Sequence, residues 1–66
     1  SPAPPYQLAR LAVKTGQYDR ALTRIEQALK LDPEDSRTAC LAIDIYTALN
    51  KPEEAAKLAD KCTGQN

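Results

Sequence analysis

Residues 16–33 read GQYDRALTRIEQALKLDP, and this run decides the fold. Ala21, Leu22, Ile25, Ala28 and Leu29 recur at i, i+1, i+4, i+7 and i+8, which lays a single apolar stripe along an α-helix. Arg20, Thr23, Arg24, Gln27 and Lys30 fall on the opposite, polar face. Gly16 precedes the helix, at a point where a tight reversal calls for a residue free of Cβ strain. Asp19 sets negative charge near the helix's positive end. Asp32-Pro33 closes the run, because the residue before a proline is pushed out of the α region.

The flanking sequence extends the same pattern. Upstream, Tyr6 to Lys14 is a run of helix formers in which Leu8, Leu11 and Ala12 share a face. Residues 1–4, with Pro2 and Pro4, read as an extended linker, and the chain as a piece of something longer. Downstream, Asp35 or Ser36 is placed to cap a third helix running to about Leu49. Its main stripe is Ala39, Ala42, Ile43, Tyr46 and Leu49, while Cys40, Leu41, Ile45 and Ala48 make it apolar nearly all round. Such a helix is covered on more than one side. Asn50 breaks it, and Pro52 suits the first turn of a fourth helix, where a missing N–H costs nothing. Ala55, Ala56, Ala59 and Cys62 give that helix a thin apolar face, ending at Thr63-Gly64. The expected fold is therefore all-α: four antiparallel helices in two helix–turn–helix hairpins.

A shift of 34 residues lays the two hairpins over one another: Gly16 on Asn50, Leu8 on Ala42, Ala21 on Ala55 and Ala28 on Cys62. Ala21/Ala55 is the identical pair; elsewhere the agreement lies in residue class and helix boundaries. Helix–turn–helix units at this period resemble the tetratricopeptide repeat family. The resemblance is closest in residues 16–33: glycine at the hairpin turn, an aromatic two later at Tyr18, alanine at both close helix contacts, and Asp32-Pro33 between repeats. The first helix departs from the family pattern, with Pro5, Ala9 and Ala12 at positions where Trp, Gly and Tyr are preferred. An up-down four-helix bundle without repeat ancestry would have helices of similar length, and the 16–33 stretch decides against it. The resemblance implies a fragment of an α–α superhelix: linker 1–4, one repeat at 5–34, a second at 35–63, and a tail at 64–66.

Composition narrows the function classes. The chain has 66 residues, and nine Lys+Arg balance nine Asp+Glu, which gives no electrostatic footing for nucleic acid or a membrane surface. No stretch approaches the roughly 20 apolar residues of a spanning helix, so direct membrane insertion is not expected. Histidine is absent, which removes the usual general base at neutral pH, and the isolated glycines make no phosphate loop. The carboxylate pairs Glu34-Asp35 and Glu53-Glu54 sit at helix starts, where charge has a capping role. Two cysteines without histidine are too few for a closed zinc site. No enzyme, metal or other cofactor is expected. Cys40 and Cys62 lie on neighbouring helices, so a bridge is geometrically conceivable. With Cys62 at a small-residue contact position, the expectation is free thiols, which lean towards a reducing, cytoplasmic setting.

What the family resemblance implies is a protein-interaction scaffold, because stacked hairpins present the first helix of each repeat to a concave groove. Carried onto this chain, the groove residues are Tyr6, Arg10, Val13 and Lys14 from the first helix, with Arg37, Cys40, Asp44 and Thr47 from the third. Arg10, Lys14 and Arg37 beside an aromatic suit an acidic or amphipathic segment of a partner protein. One subclass holds the acidic tail of heat-shock chaperones through a Lys, Asn and Arg clamp. Tyr6, Arg10 and Leu41 stand at the Lys and Asn positions here, so that role is not implied. An assembly role is the alternative: the second repeat carries no capping helix, which would leave Ile45, Leu49 and Leu58 partly uncovered for self-association or for further repeats.

Overall fold

A computed structural model describes residues 2–63 as helices α1 (Pro5–Lys14), α2 (Tyr18–Leu31), α3 (Ser36–Ala48), α4 (Pro52–Lys57) and α5 (Ala59–Thr63). Ser1 and the tail expected at 64–66 lie outside the described residues. Helices α1 and α2 form the first hairpin; α4 and α5 pack back on α3 to form the second, and α2 also packs against α3.

The two hairpin turns are the same structure. At the first, Gly16 has φ 75°, its N–H donates to the Val13 carbonyl at 3.0 Å, and the Gln17 N–H donates to the Ala12 carbonyl at 2.8 Å. At the second, Asn50 has φ 59°, its N–H donates to Thr47 at 3.0 Å, and Lys51 N–H donates to Tyr46 at 2.8 Å. Both are left-handed caps in which two otherwise orphaned helix carbonyls are satisfied. Asparagine tolerates the conformation that glycine adopts freely, which is why the punctuation survives the change of residue.

Between the hairpins, Asp32 and Asp35 organise the link. Asp32 Oδ1 accepts from the Glu34 N–H at 3.3 Å, and Asp35 Oδ1 caps α3 by accepting from the Arg37 N–H at 3.0 Å. Buried Thr38 donates its hydroxyl to Asp35 Oδ2 at 3.2 Å, so that polar side chain enters the interior satisfied.

The core is built largely from alanine. Ala9, Ala12, Ala21, Ile25, Ala28, Ala42, Ile45, Tyr46 and Ala55 form its buried cluster, with Leu22, Leu29, Leu41 and Leu58 half-buried around it. Methyl side chains at the crossing points let helix backbones approach closely, and the larger aliphatic groups seal the margins.

Two expectations fail here. The fourth helix is not continuous: Leu58 interrupts it, with its N–H donating to Ala55 and its carbonyl accepting from both Lys61 and Cys62. Neither glycine nor proline marks the break; it coincides with the half-buried Leu58 side chain packing on the core. The cysteines, expected free, form a Cys40–Cys62 disulfide across a Cα–Cα distance of 4.8 Å. The small-residue contact position that Cys62 occupies lies within bonding reach of Cys40 on α3. The lean towards a reducing compartment rested on free thiols and falls with them. Helix α5 has no fully buried residue, so the bridge is its main anchor to α3, with an exposed Lys61–Glu34 ion pair beside it.

A crosslink at a sequence separation of 22 restricts the unfolded chain by about 3 kcal/mol. Reduction, or Cys40→Ala with Cys62→Ala, is expected to lower the urea unfolding free energy by about that amount. An unchanged midpoint would show that the bridge constrains nothing.

Candidate functional site

Helices α1 and α3 are the first helices of their hairpins, and their outer faces meet around Tyr6. The ring is half-buried in the first turn of α1. The Arg10 guanidinium, one turn further along α1, lies 6.0 Å from its centroid, and that of Arg37, from the first turn of α3, lies 5.7 Å from it. One aromatic thus ties together cations from both repeats, each within cation–π range.

Beside this cluster Tyr6, Arg37, Cys40, Leu41 and Asp44 line a shallow cavity of about 230 Å³. A second hollow, of about 260 Å³, is lined by Gln7, Arg10, Leu11 and Lys14 on α1. The two ion pairs among the described residues, Lys57–Glu54 at 3.6 Å and Lys61–Glu34, involve none of Arg10, Lys14 and Arg37. Those three cations are exposed and have no intramolecular carboxylate partner among the described residues.

Of the eight residues expected in the groove, Tyr6, Arg10, Arg37, Cys40 and Asp44 are brought together, and Lys14 borders the adjoining hollow. Val13 is half-buried and packs on the core. Thr47 is exposed and lines neither hollow. Cys40 contributes a disulfide sulfur to the wall, so no thiol is available there. Leu41 is the wall residue that the sequence reading left out. It sits between Arg37 and Asp44 at i, i+4, i+7 spacing, a signal masked by the apolar surroundings of α3.

The expected assembly surface needs correction. Ile45 is 0% exposed, at the centre of the core, so it offers nothing to a partner. Leu49 and Leu58 are half-buried against the same cluster. The third helix looked apolar all round because it is packed on several sides by this chain itself: α2, α4 and α5 all lie against it.

The carboxylate pairs have structural employment. Asp35 caps α3, Glu34 pairs with Lys61, and Glu54 pairs with Lys57. Among the described residues no group of three or more metal-ligating side chains gathers, and no helix is long and apolar enough to cross a membrane. A perturbed titration lies away from the groove, at Tyr46. Burial pushes its phenol above the ordinary value of 10.0, and the Glu26 and Glu54 carboxylates add to the shift.

Raising the folded-state pKa of Tyr46 means that its neutral form stabilises the fold below about pH 10, and that this contribution is lost as pH climbs through the raised value. Tyr46→Phe is expected to flatten the alkaline fall in stability, read by urea denaturation across a pH series. An equally steep fall in the variant would contradict the assignment.

Compared with known families, residues 6–64 match the model described as Tetratricopeptide repeat. No curated protein and no solved structure matches the chain.

Proposed function

Because the chain belongs to the tetratricopeptide repeat family, whose repeats generally mediate protein–protein interactions and are typically non-catalytic, we propose that it docks an acidic, amphipathic segment of a partner protein across the α1–α3 face. The observation that carries this reading is Tyr6 flanked by the guanidiniums of Arg10 and Arg37, at 6.0 and 5.7 Å. Two cations held over an aromatic ring, without carboxylate partners among the described residues, are pre-positioned for charge supplied from outside. Leu41 and the ring of Tyr6 supply apolar surface beside them, and Asp44 at the far side disfavours an acidic residue there, which gives the groove a direction.

Fluorescence anisotropy with a short labelled peptide of alternating glutamate and leucine tests this. Binding that weakens with salt is expected, lost by about tenfold or more in Arg10→Glu with Arg37→Glu while helicity is kept. A lysine–leucine peptide should bind more weakly than the glutamate one. Equal affinity of the double variant and the unaltered protein would move the site off this face.

A further inference from the structure

The internal repeat makes each hairpin a control for the other. On α3, Ala42 and Ile45 are fully buried and Tyr46 nearly so, with α2 packed across the helix. The positions 34 residues earlier on α1 are Leu8, Leu11 and Ala12. Leu8 is half-buried, while Leu11 is 60% exposed. These residues, with Arg20 and Arg24 of α2, line a hollow of about 300 Å³. The first hairpin therefore turns outward the wall that the second hairpin buries.

The helix that packs against this wall inside the chain is α2, on which Leu22, Glu26 and Leu29 share one face at i, i+4, i+7 spacing, with Glu26 near enough to Tyr46 to act on its phenol. The residues 34 further on are Ala56, Thr63 and Asp60, and all three are exposed. Volume and charge invert together between the two junctions. Within the chain, the α2 face that carries large Leu22 and Leu29 belongs to the helix packed on α3, whose wall includes small Ala42, and the Glu26 and Glu54 carboxylates both act on Tyr46. Between copies stacked in the same register, small Ala56 and Thr63 would meet the large Leu8 and Leu11. Asp60 would meet Arg20, the residue standing at the Glu54 position. A small face seats against a leucine wall as a leucine face seats against a small one, and opposite charges replace like charges.

We propose that the Leu8–Leu11 wall receives the α4–α5 face of a second copy of this chain, stacked head to tail with Asp60 beside Arg20 of the next molecule. A contact of this kind uses two different surfaces, so it leaves an open wall on one end molecule and an open α4–α5 face on the other and continues beyond a dimer. The balanced charge of nine basic and nine acidic residues opposes it little. The surface shares no residue with the cavity around Tyr6, and Leu11 is the residue it has in common with the adjoining hollow of Arg10 and Lys14.

Sedimentation velocity over a concentration series, with circular dichroism to confirm retained helicity, tests the stacking. The unaltered chain should exceed twice its monomer mass as concentration rises. Leu11→Glu, Arg20→Glu and Asp60→Arg should each remain monomeric. Leu11 is exposed, and Arg20 and Asp60 are surface charges, so none of the three changes enters the core. Mixing Arg20→Glu with Asp60→Arg should restore association, since each supplies the charge the other lacks. An unaltered chain that stays monomeric at every concentration overturns the proposal. Association undiminished in the single variants, or none in the mixture, overturns it equally.

Discussion

Everything in this fold depends on how closely two helix backbones approach at an alanine. Ala9, Ala21, Ala39, Ala42 and Ile45 are completely shielded from solvent, whereas Leu11 and Leu31 are 60% and 74% exposed. That distribution reverses the common picture of a leucine interior. A chain of 66 residues has little interior volume to fill, so it gains density by bringing backbones together and leaving large side chains at the margins. Close approach in turn demands sharp reversals. Two left-handed caps at Gly16 and Asn50 supply them with the same pair of hydrogen bonds. Where packing is thinnest, at α5, a disulfide holds the last turn to α3.

The same constraint places the surface chemistry. Close hairpin stacking puts the first turns of α1 and α3 near enough for Arg10 and Arg37 to share one tyrosine ring. A looser bundle would separate these residues, which are distant in sequence. The groove is thus a by-product of backbone proximity, and its character comes from the few side chains decorating it.

Much of this was legible in the residues. Periodicity in 16–33 fixed α2, and turn and cap residues located the ends of α1 and α3 and the start of α4 to within a residue or two. Family resemblance pointed to Tyr6, Arg10 and Arg37, which the fold does bring together. Three features were not legible, each because it depends on spatial relations that local pattern does not carry. Leu58 breaks the last helix without a breaker residue. Cys40 and Cys62 pair across α3 and α5, although Cys62 stands at the small-residue contact position of the repeat. Ile45 was expected to be partly uncovered because the second repeat carries no capping helix. Its burial follows from having α2 on one side and α4 and α5 on others.

The most direct test of backbone proximity is to enlarge an alanine and, separately, to delete a leucine, comparing urea unfolding of the intact disulfide form. Ala21→Leu adds apolar bulk at a point with no exposure, and is expected to destabilise by about 1–3 kcal/mol through overpacking. Leu31→Ala removes apolar bulk from an exposed site and is expected to change stability by no more than about 0.5 kcal/mol. An Ala21→Leu protein as stable as the unaltered chain would contradict the close-packed alanine core on which the rest of this account stands.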